Sequence, residues 1–251
     1  MAPTLPAQTR AMLLDIEGTT TSIAFVYDTL FPFAREHMAT FLQAHWETEE
    51  VQADVALVRD QAQTDLRDGV PGARSVPEGL SEASREATLH NLLGQMDADR
   101  KTTGLKSLQG KIWLDGYARG ELLAHLFEDV HPAMLSWRAQ GLPIYIYSSG
   151  SIAAQKLLFR HSVAGDLTPL LEGYFDTTTG PKKQAQSYNS ICAAVRLDPA
   201  QVCFLTDNLE EARAAKEAGL SAIVSLRPGN PELPSHPFPT LTSFADLTGS
   251  P

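Results

Sequence analysis

Acidic and hydroxyl side chains follow three short apolar runs of this chain. The residues at these three positions are, in chain order, Asp15 with Glu17, Ser148 with Ser149, and Asp207. A short apolar run without alternation is typical of a strand buried on both faces, as in the parallel sheets of α/β proteins. Ligands of open α/β sheets bind beyond the carboxyl ends of the strands. We therefore expect these polar groups to share one crevice.

The first of these positions supplies two carboxylates, Asp15 and Glu17. An aspartate can attack phosphorus and form an aspartyl-phosphate. A second carboxyl nearby can protonate the leaving oxygen and later activate water. Gly18 allows the chain to turn, and Thr19 can bind a phosphoryl oxygen. An ordinary acidic turn at the end of a strand would show the same pattern, so this pair is informative only together with the other positions.

Two further features can bind an anion. Ser148-Ser149-Gly150 lies between a predicted strand and a predicted helix, where free amides and hydroxyls can hold a phosphate. Ordinary N-capping by serine is the alternative. Lys182 follows Gly180-Pro181 just before another predicted helix and can neutralise phosphoryl oxygens. Most lysines are solvated surface residues, and the adjacent Lys183 offers the same charge.

Asp207 predicts a metal site. Magnesium prefers oxygen ligands and keeps several waters, so Asp15, Asp207 and the backbone carbonyl of Glu17 would suffice. Glu211 follows one helical turn later and could be a ligand or a neighbour of one. Alternatively, Glu210 and Glu211 are acidic residues placed favourably in the first turn of a helix. Together, the order aspartate, serine, lysine, aspartate predicts a magnesium-dependent phosphohydrolase with an aspartate nucleophile.

The bulk composition limits the partners. The chain has 251 residues, 43% of them hydrophobic, and a net charge of -10. This charge argues against nucleic acid or an anionic membrane as a partner. It gives no help in binding the small phosphorylated metabolite that we expect as substrate, so the site must supply positive charge locally, from a metal and a lysine. Residues 1–10 lack the apolar region of a secretory signal, and no apolar stretch approaches the roughly 18 residues of a membrane span. We expect a cytoplasmic monomer whose two cysteines, Cys192 and Cys203, are packed free thiols.

The spacing of the three positions predicts an insertion. Residues 22–128 separate the first strand from the rest and have helical patterns at 29–46, 48–67, 80–96 and 105–126. A connection rich in Gly and Pro spans 68–79. We interpret this segment as a helical cap. Residues 1–21 and 129–251 alternate strands and helices and form the catalytic core, with an irregular, Pro-rich tail from residue 227 onward.

The order and spacing of these residues resemble the haloacid dehalogenase-like phosphohydrolases. Glutamate at position 17, followed by Gly-Thr-Thr-Thr-Ser, is similar to the acireductone synthase family, the enolase-phosphatases of methionine salvage. The similarity continues over nearly the whole chain, with departures at Pro181 and at Asn208-Leu209. Its main motifs are Leu108-Gln-Gly110 with Trp113, Ile144–Ser151, Phe175-Asp176, Gly180 with Lys182, Ser187-Tyr188, Phe204–Asp207 with Glu211-Ala212, and Arg227-Pro-Gly-Asn230.

The resemblance implies a Rossmann-like parallel sheet core with an inserted helical cap domain. It implies Mg²⁺ held by Asp15, Glu17 and Asp207, and substrate bound by Ser148, Ser149 and Lys182. The substrate would be 2,3-diketo-5-methylthiopentyl-1-phosphate, which is first enolised and then dephosphorylated to acireductone. Two alternatives stay open at this point: a generic magnesium-dependent phosphatase of small metabolites without enolase activity, and a binding module that has lost catalysis.

Overall fold

A computed structural model describes residues 3–247, in which six strands form a parallel sheet. The strand order is β3-β2-β1-β4-β5-β6, and each neighbouring pair is parallel. This sheet confirms the predicted α/β class with a Rossmann-like parallel core. The strands are β1 (Ala11–Leu14), β2 (Ile144–Tyr147), β3 (Gly173–Phe175), β4 (Val202–Thr206), β5 (Ser221–Ser225) and β6 (Thr240–Leu241).

The two central strands are buried along their whole length, as the uninterrupted apolar runs predict. Every residue of β1 and β4 is buried, because helices cover both faces of a parallel sheet. Alternate residues of β1, such as Ala11 and Leu13, join one apolar cluster that includes Tyr188 and Phe204. The strand ends are therefore held rigidly by the core of the sheet.

The helices that accompany the sheet begin where the sequence provides caps. Ser151 accepts a hydrogen bond from the Ala154 N–H, and the Asn208 side chain accepts from the N–H groups of Glu210 and Glu211. Gly219 follows the last of these helices with a φ of +95°. The helices are α1 (Ile23–Phe25), α6 (Val130–Ala139), α7 (Ile152–Arg160), α8 (Ala185–Val195) and α9 (Leu209–Glu217).

A second group of helices forms its own apolar core. Ala34, Met38 and Leu42 of one helix are fully buried, as are Val55 of the next helix and Leu108 of the last. Trp113 packs against this core, and its indole N–H donates to the Leu30 carbonyl at 2.9 Å. The helices are α2 (Phe31–His45), α3 (Glu49–Arg67), α4 (Glu82–Asp97) and α5 (Thr103–Ala118), with a π-helical turn at Val26–Leu30 before them.

Two expectations for the irregular parts need correction. The helix predicted over 105–126 ends at Ala118. Gly120 adopts a φ of +71°, and the Glu121 N–H donates back to the Gly116 carbonyl, which closes the helix. The tail is not wholly irregular: Thr240–Leu241 adds the short edge strand β6, and a 3₁₀ turn spans Phe244–Leu247. The connection 68–79 is non-helical, as expected.

The chain divides into two compact units, one up to Tyr27 and from Leu123 onward, the other Asp28–Leu122. The boundaries predicted from sequence, after residue 21 and before residue 129, lie a few residues away, and the core and cap assignment stays a prediction. Residues 1–2 and 248–251 of the predicted core lie outside the described residues. Within residues 3–247, no helix is both long and apolar enough to cross a membrane.

The two thiols should be unreactive in the folded protein. Both are free and buried, and burial raises the pKa of Cys192 to about 11 and that of Cys203 to about 12, which suppresses the reactive thiolate. We expect neither to react with Ellman's reagent at mildly alkaline pH in native protein, and both to react in denaturant. Val163→Cys, at an exposed position, is the positive control. Rapid labelling of the native wild type would contradict the burial of these thiols.

Candidate active site

The strand register brings the three predicted positions to one edge of the sheet. Leu14 of β1 lies opposite Ile146 of β2 and Leu205 of β4. One residue further along the three strands, Asp15 therefore lies between Tyr147 of β2 and Thr206 of β4. Because the strands are parallel, the chain segments that carry Ser148 and Asp207 leave the sheet beside the segment that carries Asp15 and Glu17.

Lys182 is the positive centre of this edge. Its Nζ lies 2.6 Å from Asp15 Oδ1 and 2.7 Å from Glu211 Oε2, and the three side chains are each only 6–10% exposed. Burial by itself lowers the pKa of an ammonium, but the two carboxylates outweigh it and raise the pKa of Lys182. Lys183 is exposed and pairs with Glu210 instead. The structure therefore distinguishes between the two lysines that the sequence left open.

Glu211 belongs to the site. The sequence alone left open whether it is a magnesium ligand, a neighbour of a ligand, or an acidic residue of the first helical turn. Its Oε2 pairs with Lys182 and lies 2.9 Å from the Thr206 hydroxyl, which is in turn 3.1 Å from Asp15 Oδ2. Burial, followed by the charge of Asp15, raises the pKa of Glu211. The signal in the sequence was its place one helical turn after Asp207. Thr206 was missed because a threonine inside a buried strand has no distinctive pattern.

Asp207 faces the turn that follows Asp15. Gly18 has a φ of +65°, and a Cβ on it would stand 2.1 Å from Asp207 Oδ2, so only glycine allows this approach. Burial first, and then repulsion from Asp15 and Glu17, raises the pKa of Asp207. Among the described residues, no three His, Cys, Asp or Glu side chains form a ready-made metal cluster. An oxygen-only set of two carboxylates, a main-chain carbonyl and water still suits magnesium.

The serine segment is held by side chains from the helix and strand around it. Ser148 Oγ accepts from the Gly150 N–H at 3.2 Å, and Gln155 donates to the Gly150 carbonyl at 2.8 Å. Asp176 accepts from the Ile152 N–H at the start of α7 and from Thr178. Ser148 is buried, whereas Ser149 is partly exposed. The segment thus presents hydroxyls at the helix N-terminus, where an anion is favoured.

The segment that carries Lys182 is fixed through its main-chain carbonyls. Tyr147 Oη donates to the Gly180 carbonyl at 2.8 Å, Ser187 to that of Pro181 at 2.7 Å, and Tyr188 to that of Lys182 at 2.6 Å. These three donors come from β2 and α8, which are parts of the sheet core. The position of the ammonium is therefore set by the packed core and not by the lysine side chain alone.

This fold and this arrangement match a known class of proteins. The family model described as haloacid dehalogenase-like hydrolase matches residues 9–219. The UTR4 protein of Saccharomyces cerevisiae has a similar solved structure, with a TM-score of 0.77 and 29% sequence identity over 95% of this chain and 100% of that one. The chain belongs to the haloacid dehalogenase-like hydrolase family.

Two relatives of this chain carry the term enolase-phosphatase in their names. "Enolase-phosphatase E1" of Danio rerio is 45% identical over 251 residues, which cover 97% of this chain and 96% of that protein. A Vitis vinifera protein named "probable bifunctional methylthioribulose-1-phosphate dehydratase/enolase-phosphatase E1 1" is 48% identical over 95% of this chain. This chain spans only about half of the length of such bifunctional relatives, 47% in the Vitis protein.

Removing the Tyr188 hydroxyl should destabilise the protein. In Tyr188→Phe, the Lys182 carbonyl loses its donor, and an unpaired buried acceptor costs about 1–3 kcal/mol. Tyr174→Phe is the matched control, because the buried Tyr174 hydroxyl has no hydrogen-bond partner within the described part of the chain. Urea unfolding should show a clear loss for Tyr188→Phe and a change within about 0.5 kcal/mol for Tyr174→Phe. Equal losses in both variants would show that the Lys182 carbonyl does not depend on this bond.

Proposed function

We propose that this chain is an enolase-phosphatase that converts 2,3-diketo-5-methylthiopentyl-1-phosphate into acireductone and phosphate. The observation that carries the proposal is the buried Lys182 ammonium, which bridges Asp15 and Glu211 at the carboxyl ends of the central strands. The Danio rerio relative named enolase-phosphatase E1, which this chain matches over 96% of its length, supports the choice of substrate class. A small phosphorylated substrate is expected for any phosphatase of this family, and the monomeric state and cytoplasmic location stay predictions.

The phosphatase step uses Asp15 as the nucleophile. A carboxylate oxygen of Asp15 attacks phosphorus, and the bond from phosphorus to the substrate oxygen breaks. Lys182 holds the Asp15 carboxylate in place and neutralises the charge that gathers on the phosphoryl oxygens. Glu17, protonated during the preceding enolase step, gives this proton to the leaving oxygen. It then takes a proton from the water that hydrolyses the aspartyl-phosphate and releases it to solvent before the next turnover. Ser148 and Ser149 bind the phosphoryl oxygens before and after the transfer.

The carboxylates fit a resident magnesium ion. Asp15, Asp207 and Glu17 carry negative charges close enough for Asp15 and Glu17 to raise the pKa of Asp207. Asp15, Asp207 and either the side chain or the carbonyl of Glu17 would hold the ion. Magnesium, when bound, neutralises these carboxylates and polarises substrate oxygens.

The enolase step moves one proton. A base removes a proton from carbon 1 of the substrate, and the electron pair of that bond forms the carbon–carbon double bond. The electrons of the neighbouring carbonyl bond move onto its oxygen, which takes a proton from solvent and becomes an enol hydroxyl. We assign the base to Glu17, because it is the carboxylate two residues beyond the nucleophile on the same turn. Asp15 is not required as a nucleophile for this step, so the two reactions can be separated by substitution.

Activity should depend on magnesium. Without a cation, the grouped carboxylates repel a phosphate dianion, so EDTA should abolish phosphate release and added Mg²⁺ should restore it. Phosphate release from the diketo substrate and from a generic aryl phosphate would be measured before and after chelation. Full turnover by thoroughly chelated enzyme would refute the metal assignment.

The two carboxylates of the turn should affect the two steps differently. Asp15→Asn should lower phosphate release by on the order of 10³-fold or more, since the attacking charge is removed, while the ultraviolet-absorbing enol-phosphate still forms slowly. Glu17→Gln should lose both steps. Asp166→Asn, an exposed carboxylate on a remote loop, is the control.

Incorporation of solvent deuterium at carbon 1 of the substrate separates the possible outcomes. Deuterium in Asp15→Asn and none in Glu17→Gln is expected. Normal exchange in Glu17→Gln would remove Glu17 from the enolase step. Phosphate release by the wild type without growth of the ultraviolet absorption of an enediol would mark a plain phosphatase.

A further inference from the structure

The turn that carries Asp15 and Glu17 accepts hydrogen bonds from two side chains of a second turn, residues 227–230. Asn230 Nδ2 donates to the Gly18 carbonyl at 2.9 Å, and Arg227 Nε donates to the Thr19 carbonyl at 3.0 Å. Two successive main-chain carbonyls are thus held by side chains that follow β5. We call Arg227 and Asn230 the 227–230 clamp.

Arg227 is itself firmly held. Its guanidinium lies between the rings of Phe127 and Phe244, with its central carbon 4.7 and 4.3 Å from their centroids. Its Nη1 donates to Asp129 Oδ2 at 2.7 Å and to the Thr242 carbonyl at 3.0 Å. The side chain is almost fully buried. Such a guanidinium has little freedom, so it acts as a rigid donor toward the Thr19 carbonyl.

The clamp acts at the point where Gly18 meets Asp207. A Cβ on Gly18 would lie 2.1 Å from Asp207 Oδ2 and 3.1 Å from Asn230 Nδ2, so the carboxylate and the amide both lie against this residue. Asn230 also donates to the Ser225 carbonyl at 3.4 Å, at the end of β5. The clamp therefore ties the Gly18 turn to the sheet on the side where Asp207 approaches it.

Repulsion between carboxylates opposes the approach of Asp207 to the Gly18 turn. Asp15 and Glu17 lie close enough to Asp207 to repel its charge, and the turn that carries them lies beyond the end of β1. Asn230 is neutral and the charge of Arg227 is paired with Asp129, so these hydrogen bonds to main-chain carbonyls oppose the repulsion without adding uncompensated charge to the site. Because the turn is held before a cation arrives, less reorganisation is needed when one binds.

We propose that Arg227 and Asn230 are positioning residues that hold the Asp15–Gly18 turn against Asp207 and thereby set the affinity for the divalent cation. The proposal rests on the magnesium site of the proposed function. It assigns neither residue any contact with the metal or the substrate. Partners that orient metal ligands typically change metal affinity by roughly tenfold to a hundredfold when they are removed.

Four variants separate positioning from stability. Asn230→Ala removes the donor to Gly18, and Arg227→Lys keeps the charge but loses the Nε donor to Thr19. Ser162→Ala, in the same unit as the clamp, removes a buried hydroxyl that donates to the Gly165 carbonyl. Asn91→Ala, in the other unit, also removes an amide that donates to two main-chain carbonyls, those of Arg74 and Ala87. The two controls lower stability without touching the Gly18 turn.

Magnesium binding by the full chain would be measured by titration calorimetry without substrate, and unfolding by urea. We expect the magnesium Kd to rise roughly tenfold to a hundredfold in Asn230→Ala and Arg227→Lys, and to stay within about twofold in the controls of similar stability loss. At saturating magnesium, kcat of the clamp variants should return to within about threefold of the wild type.

Each outcome decides a separate point. A wild type that binds no magnesium would overturn the proposed metal site, and the clamp proposal with it. A wild type that binds magnesium while the clamp variants bind equally well would overturn the clamp alone, as would equal weakening in the controls. If Arg227→Lys does not fold, Asn230→Ala decides, because Asn230 is only half-buried and its loss leaves the ion pair of Arg227 intact.

Discussion

The structure of this site depends on one electrostatic constraint, the gathering of several carboxylates around a single buried ammonium. Lys182 bridges Asp15 and Glu211 at distances below 3 Å, and the charge of Asp15 also acts on Asp207. Buried like charges are tolerated only where a cation compensates them. One lysine compensates only part of this charge, which leaves the edge of the sheet suited to a divalent cation and a phosphate together.

Each segment of the site is held in place by one kind of interaction. A side chain donates a hydrogen bond to a main-chain carbonyl of the segment. Tyr147, Ser187 and Tyr188 hold the segment of Lys182, Gln155 holds that of Gly150, and the 227–230 clamp holds that of Gly18. Loops are otherwise mobile and variable, whereas reacting groups need fixed positions. Neutral donors, and one arginine whose charge is paired with Asp129, fix them without disturbing the charge balance of the site.

The pattern of apolar residues made the main strands of the sheet predictable. The buried runs of β1, β2 and β4 lack alternation because both faces of the sheet are covered, and that signal is local. Strand β6 escaped prediction, since two residues have no period and gain their structure only by pairing with β5. The end of α5 was misplaced because apolar residues continue beyond Gly120, although its backbone conformation stops the helix.

The sequence by itself determined the class of fold and the kind of chemistry, because residue type at a strand end is a local property. Asp15, Ser148 and Asp207 could be selected in this way. Only the tertiary structure decided that Lys182 and not Lys183 joins Asp15, that Glu211 pairs with the same lysine, and that Arg227 and Asn230 hold the nucleophile turn. Such partners lie up to about two hundred residues apart in the chain, and their distances are set by the closure of the whole sheet, which no local pattern records.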